Sequence, residues 1–290
     1  MGERRLSDKM GIRSQADLEA FRISFAKKAQ DDLARFCGKK THLLLSAEGL
    51  ASCSVEEIER LRDLLAPYCS EFVVIVYLRR QDLRRVSQFR LGIKNHGRTS
   101  TSVFNNRVAP NLDYYALCDR WAQVFGDSVV VPRVFPDSTP ESYDLIDDFA
   151  ALSDIANIEG YAEFERPGRR NKAWDWRAVE FLRLTNDHLS AIVDGKVPKE
   201  RKFLEEVLKD CFPECEQRRP PRSQAIRFYE LYRESNEMLR ARWFPQQASL
   251  FHEDFSGYPE QPDEYELTAE DIVFVASRLL QARPTGFFRR

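Results

Sequence analysis

The sequence has no apolar run long enough to cross a membrane and no strong charge bias. The longest uninterrupted apolar segment is 72–78, whereas a spanning helix needs about 20 residues. The first nine residues are too polar for a secretory signal. The 44 basic and 46 acidic residues leave a net charge of −2, so nothing in the overall balance favours nucleic acid as a partner. We expect a soluble, cytoplasmic protein without a membrane span.

Regularly spaced metal ligands and common catalytic motifs are also missing. The six cysteines follow no period, and Cys211 and Cys215 form a lone pair without a second one, whereas a structural zinc site needs about four ligands. No Gly-x-Ser-x-Gly, His-Glu-x-x-His or Gly-x-Gly-x-x-Gly motif occurs. We therefore predict free structural thiols in a reducing compartment and no metal site. The 43% of hydrophobic residues is enough for a folded core.

The first half of the chain alternates between strand and helix patterns. Residues 41–46 and 72–78 are continuous apolar runs typical of buried strands. Ser54 and Glu57 form a capping-box pattern before an apolar helix face that ends at Pro67. The predicted elements, in chain order, are helix 14–36, strand 41–46, a helix from residue 54, strand 72–78, helices 81–94 and 111–125, and a strand within 128–135. This order predicts an α/β fold with a small parallel, doubly wound sheet and right-handed connections.

The second half has few strand patterns. Helical periodicity covers 141–152, 176–194, 200–211, 222–243 and 268–282. No break in composition is strong enough to mark a second domain. We predict one domain over residues 1–290, with an α/β core at about 40–140 and a mainly helical wrap from about 141 to 290.

The segment after the strand at 72–78 is strongly basic. Ligands of open α/β sheets bind beyond the carboxyl ends of the strands, and residues 79–98 hold seven basic side chains against one acid, Asp82. Helical spacing places four of the polar side chains on one face, Arg80, Arg84, Ser87 and Lys94. Arg79 lies at the strand–helix junction, where unpaired backbone N–H groups favour an anion. Three interpretations remain open: an anion site, a solvated basic face and a nucleic-acid patch, the last without an accompanying recognition module.

The spacing of Arg79 and Ser87 resembles a motif of the sulfotransferases. In that family a strand ends in arginine, and a serine eight positions later holds the 3′-phosphate of 3′-phosphoadenylyl sulfate. The segment here reads Val76-Tyr-Leu-Arg-Arg-Gln-Asp-Leu-Arg-Arg-Val-Ser87, and it differs from the commoner Arg-Asn-Pro form by Arg-Arg-Gln. The resemblance implies 3′-phosphoadenylyl sulfate as the donor, with Arg79 and Ser87 binding it, and it implies no metal.

Three further segments resemble a bacterial sulfotransferase-like group associated with surface polysaccharides. They are 112–126, 147–149 and 235–236, so the resemblance covers about residues 40–255. It implies a P-loop NTPase/sulfotransferase-like fold and transfer of a sulfuryl group to a carbohydrate hydroxyl. The acceptor and the oligomeric state are not implied.

One family element is not found in the sequence. Sulfotransferases bind the phosphosulfate with a turn rich in Gly, Thr, Ser and Lys after their first strand, which aims backbone N–H groups and a lysine at the anion. Residues 7–11 are the only early candidates, and no apolar strand precedes them. Two expectations follow: an upstream extension supplies this N-terminal phosphosulfate-binding loop, or the chain is an inactive relative that binds a nucleotide, a glycan or a protein.

A few further residues are candidates for the catalytic base and for binding the acceptor. Glu48 follows the predicted strand 41–46, the position where the resemblance implies a catalytic base, and the alternative is an exposed turn residue. Lys94, His96 and Arg98 form a basic segment that we expect to contact the substrate.

Overall fold

The computed structural model of the protein describes residues 10–37, 42–136, 144–158, 160–166, 173–214, 216–261 and 266–282. Over these ranges the fold is α/β, with ten helices and a two-stranded parallel sheet. The elements are α1 Gln15–Cys37, α2 Val55–Leu65, β1 Val74–Leu78, α3 Gln81–His96, α4 Tyr114–Phe125, β2 Val130–Val134, α5 Leu145–Leu152, α6 Trp176–Thr185, α7 Lys199–Cys211, α8 Arg222–Glu230, α9 Arg233–Trp243 and α10 Ala269–Gln281.

The sheet confirms two of the three predicted strands and their parallel direction. β1 and β2 pair in register from Val74 opposite Val130 to Leu78 opposite Val134. Both strands are rich in valine, whose branched side chain fits a pleated surface. Leu78 is fully buried, and the rest of β1 is half-buried, so the sheet covers β1 less completely than its apolar sequence predicts.

The predicted strand at 41–46 is wrong. Residues 42–47 have no regular secondary structure, and Leu43, Leu44 and Leu45 are 42%, 54% and 49% exposed. A short apolar run resembles a strand locally, but a strand forms only where another strand accepts its backbone hydrogen bonds. No described strand forms β-sheet hydrogen bonds with this segment.

The chain groups into two compact units. The first contains Met1–Arg79, Val108–Phe164 and Arg233–Phe251, and the second contains Arg80–Arg107, Glu165–Tyr232 and His252–Arg290. The sheet belongs to the first unit and α3 to the second. The single domain that the sequence predicts stays a prediction.

In the first unit, helix caps confirm the local sequence signals. Ser54 and Glu57 form both bonds of the capping box that opens α2. α4 begins at Tyr114, three residues later than the pattern predicts, because Asp113 caps it by accepting from the N–H of Ala116. α4 packs against α2 and α9, and these contacts cover the apolar face of α4.

In the second unit, α3, α6, α7 and α10 share one apolar core, which includes Phe89, Ile93, Leu182, Leu208 and Val275. Helix α6 ends at Thr185, nine residues before the end of the periodic pattern at 194. The predicted helix 222–243 is two helices, α8 and α9, which belong to different units.

Candidate anion-binding site

In the first unit, Arg79 is fixed at the carboxyl end of β1. Its backbone carbonyl accepts a 2.7 Å hydrogen bond from the Tyr114 hydroxyl, and its guanidinium carbon lies 6.0 Å from the centre of the Phe135 ring. The Phe135 N–H donates to the carbonyl of Leu78 at 2.7 Å, which extends the β1–β2 pairing by one residue. The strand end that the sequence analysis singles out is therefore well ordered.

The Arg79 side chain has a buried donor without an acceptor. Its Nε is buried and makes no hydrogen bond, and no carboxylate of the described residues pairs with its guanidinium. A buried donor left unpaired costs about 1–3 kcal/mol. An oxyanion at the strand end would remove this cost and use the planar fork of donors that suits phosphate.

Acidic groups near the sheet are committed to structural contacts. Asp148 accepts a 2.6 Å hydrogen bond from the Tyr77 hydroxyl of β1 and forms an ion pair with Arg133 of β2. The hydrogen bond from Arg133, with that from Tyr77, holds the pKa of Asp148 below its usual value of 3.8. Asp148, from the 147–149 segment, therefore ties α5 to both strands and is a poor proton acceptor.

Two other segments of the sulfotransferase resemblance meet in the first unit. The Ser235 hydroxyl of α9 donates to Asp113 at 2.7 Å and accepts from the N–H of Tyr115 at 3.3 Å. Asn236 is buried beside it. The 235–236 segment thus fixes the start of α4, whose Tyr114 in turn holds the carbonyl of Arg79.

In the second unit, a buried polar cluster holds the start of α3. Arg80 and Asp82 form an ion pair at 2.8 Å and are 2% and 0% exposed. Arg80 also donates to the carbonyls of His252 and Asp254, both at 2.7 Å, and the Tyr258 hydroxyl donates to Asp82 at 2.7 Å. Burial and the charge of Asp82 raise the pKa of Tyr258.

This cluster corrects one prediction. Arg80 does not share an accessible basic face with Arg84 and Ser87, because the acid two residues later neutralises it inside the unit. Arg84 and Ser87 are half-buried, and the Arg84 Nε is buried without a hydrogen-bond partner.

The three predicted substrate residues separate into two places. The Lys94 ammonium lies 4.7 Å from the centre of the Trp174 ring, and Lys209 lies 5.2 Å from the same ring. His96 and Arg98 instead line a cavity of about 590 Å³ together with Arg85, Gln88, Leu91 and Gly92. The structure therefore brings His96 and Arg98 together and places Lys94 outside that lining.

The cavity contains a site residue that the sequence analysis did not single out, Arg85. Its Nε donates to the carbonyl of Val103 at 2.9 Å. Burial and, next, the positive charge of Arg98 lower the pKa of Arg85. The signal was present in the sequence, since Arg85, Gln88, Gly92 and His96 recur at helical spacing on one face of α3.

Glu48 begins a short 3-10 turn, Glu48–Ser52, and its side chain is exposed. The predicted strand in front of it does not form, so the structure does not place Glu48 at the carboxyl edge of the sheet. Its role as a base stays a prediction.

No three His, Cys, Asp or Glu side chains of the described ranges group as metal ligands would. Within the same ranges, no helix has the length and apolar character needed to cross a bilayer.

Comparison with known proteins yields one distant relative. An uncharacterized protein of Archaeoglobus fulgidus is 26% identical over 229 residues, which is 76% of this chain and 59% of the relative. The chain thus spans less than two thirds of that protein. No family model matches the sequence, and no solved structure matches it.

Proposed function

We propose that this chain is a sulfotransferase-like protein that binds a 3′-phosphorylated adenosine nucleotide, with Arg79 on the 3′-phosphate. The observation that carries the proposal is the buried, unpartnered Nε of Arg79 at the end of β1. Independently, the spacing of Arg79 and Ser87 resembles the sulfotransferase motif, and that resemblance also assigns Arg79 to the 3′-phosphate. A P-loop sulfotransferase-like fold belongs to the same proposal, supported by the parallel pairing of β1 and β2.

The ordering of Arg79 supports binding. Tyr114 fixes the Arg79 carbonyl, and Ser235 with Asp113 fixes the start of the helix that carries Tyr114. A main chain held in place before the ligand arrives loses less conformational entropy on binding. Ser87 is proposed as a second donor to this phosphate on the resemblance alone.

Turnover is proposed for the case in which an upstream extension supplies the phosphosulfate-binding loop. The donor is then 3′-phosphoadenylyl sulfate and the acceptor is a carbohydrate hydroxyl. The acceptor oxygen forms a bond to sulfur as the bond from sulfur to the oxygen bridging it to the 5′-phosphate breaks. Adenosine 3′,5′-bisphosphate leaves with that oxygen, and the acceptor proton passes to Glu48. Lys94, His96 and Arg98 are the proposed acceptor contacts. Such a transfer depends on positioning and charge neutralisation.

A second candidate function is binding without turnover. It is favoured by the position of Glu48, which is exposed on a 3-10 turn rather than at a strand end. Sulfuryl transfer from labelled donor to a panel of polysaccharides separates the two candidates. On the binding-only account no acceptor-dependent product appears. Product that disappears in Glu48→Gln establishes the transferase.

Nucleotide binding itself is tested by calorimetry with adenosine 3′,5′-bisphosphate. Loss of one charged hydrogen bond costs about 1.5–3 kcal/mol, so Arg79→Ala should weaken binding roughly ten- to a hundredfold. Arg62→Ala is the matched control, because the Arg62 side chain is 39% exposed and, among the described residues, its ion-pair partner is the neighbouring Asp63. Equal affinities of wild type and Arg79→Ala would refute the assignment.

A further inference from the structure

One face of α3 carries positive charge that no carboxylate of the described residues neutralises. It is formed by Arg85, Gln88, Gly92 and His96, with Arg98 beyond the helix end. None of the six residues that line the cavity is acidic. No carboxylate of the described residues forms an ion pair with Arg85 or Arg98. Burial is the first cause of the lowered pKa of Arg85, and repulsion by the nearby charge of Arg98 is the second.

The backbone at the end of α3 holds Arg98 in this position. Gly97 adopts a left-handed conformation with φ of 63°, which reverses the chain, and the N–H groups of Gly97 and Arg98 both donate to the carbonyl of Gly92. The Asn186 amide donates to the carbonyl of Arg98 at 2.8 Å. Arg98 is therefore anchored at its main chain on both sides.

The Arg98 side chain lies back across α3. Its guanidinium carbon is 5.5 Å from the centre of the Phe89 ring. A Cβ at Gly92 would lie 3.1 Å from the Arg98 Nε, so the helix has its smallest residue where the guanidinium crosses it. Arg85 is oriented separately, by the bond from its Nε to Val103, which leaves its terminal nitrogens for another acceptor.

We infer that this cavity is a binding site for a sulfate or phosphate ester of a small sugar-sized molecule, with Arg85 and Arg98 on the oxyanion. Guanidinium forks bind such oxyanions bidentately. Gln88 and His96 supply donors for neighbouring hydroxyls, and Leu91 supplies apolar surface. A volume of about 590 Å³ lies within the usual size of small-molecule sites.

The site uses neither Arg79 nor Ser87, so it stands whether or not the nucleotide binds. The inference rests on the proposed function only in assigning His96 and Arg98 to the acceptor. For that acceptor it adds one property, an ester oxyanion that is present before sulfuryl transfer. Loss of nucleotide binding in Arg79→Ala with unchanged ester binding would separate the two.

The test is an amide chemical-shift titration of the ¹⁵N-labelled chain with glucose 6-sulfate, glucose 6-phosphate and glucose at constant ionic strength. We expect both esters to shift the amides of Gly92 and Gly97 and to bind at least tenfold more tightly than glucose. A response to one ester alone identifies that ester as the ligand chemistry. Equal responses to glucose and to both esters, or no shifts at these amides, would overturn the inference.

Two variants sharpen the result. Arg98→Ala should weaken ester binding roughly ten- to a hundredfold, the loss of one charged hydrogen bond, whereas Arg62→Ala should leave it unchanged. Gly92→Ala keeps both charges and favours the helix, but its Cβ pushes on the Arg98 side chain, so we expect a severalfold weaker affinity in a fully folded protein. Unchanged affinity in Arg98→Ala would refute the site.

Discussion

Removing the charge of Asp82 should destabilise the second unit strongly. The Arg80–Asp82 pair is almost fully buried, and it also bonds to Tyr258 and to two backbone carbonyls. Asp82→Asn keeps the size and polarity of the side chain but removes the buried carboxylate that pairs with Arg80. Breaking a buried pair in this way typically costs about 3–5 kcal/mol.

A graded series tests this reasoning. Tyr258→Phe removes one hydrogen bond to a carboxylate, worth about 1.5–3 kcal/mol, and should have the smaller effect. Asp63→Asn is the control, because Asp63 is 68% exposed in its pair with Arg62, and exposed pairs contribute about 0–1 kcal/mol.

Urea denaturation gives the free energies of unfolding, and hydrogen exchange of α3 and α4 assigns the loss to a unit. Protection should fall in α3, which belongs to the second unit, more than in α4, which belongs to the first. If the free energies of unfolding of Asp82→Asn and Asp63→Asn differ by less than about 0.5 kcal/mol, the cluster does not hold the start of α3.

Three further predictions concern other contacts. Hydrogen bonds lower the pKa of Asp148 in the folded chain, so its contribution to stability is complete above its ordinary pKa of 3.8 and is lost as the pH falls through the folded pKa. Asp148→Asn should therefore reduce the free energy of unfolding by about 1 kcal/mol near neutral pH. The difference from wild type should disappear in acid. Burial raises the pKa of Cys118 to about 12, so peptide mapping after iodoacetamide treatment near pH 8 should find the half-buried Cys69 modified and Cys118 intact; rapid labelling of Cys118 in the folded chain would contradict its burial. Gly97→Ala places a Cβ in a left-handed conformation, and thermal unfolding should report a loss of about 1–2 kcal/mol; an unchanged midpoint would show that this turn is not strained by a side chain.

Local signals predicted the helices well, and long-range pairing limited the strands. The Ser54–Glu57 capping box depends on neighbours within a few residues, so the sequence contains all that determines it. The apolar run at 42–47 fails as a strand because no described strand pairs with it, and pairing depends on residues far away along the chain.

The sequence likewise predicts one part of the candidate site and misses the parts that depend on distant residues. The Arg79 position follows directly from the end of the β1 pattern. The burial of Arg80 depends on His252, Asp254 and Tyr258, more than 170 residues away, and charge counting along one helix does not show it. The cavity beside Arg98 depends on the chain reversal at Gly97 and on the hydrogen bond from Asn186. Both arise from the folded structure, and the spacing of residues along α3 does not predict them.

Phosphorus NMR of adenosine 3′,5′-bisphosphate bound to the protein tests the central claim most directly, because the two phosphates give separate signals. With Arg79 on the 3′-phosphate, the 3′ signal should shift on binding, and Arg79→Ala should abolish that shift while Arg62→Ala preserves it. A shift confined to the 5′ signal, or a 3′ shift that persists in Arg79→Ala, would contradict the claim.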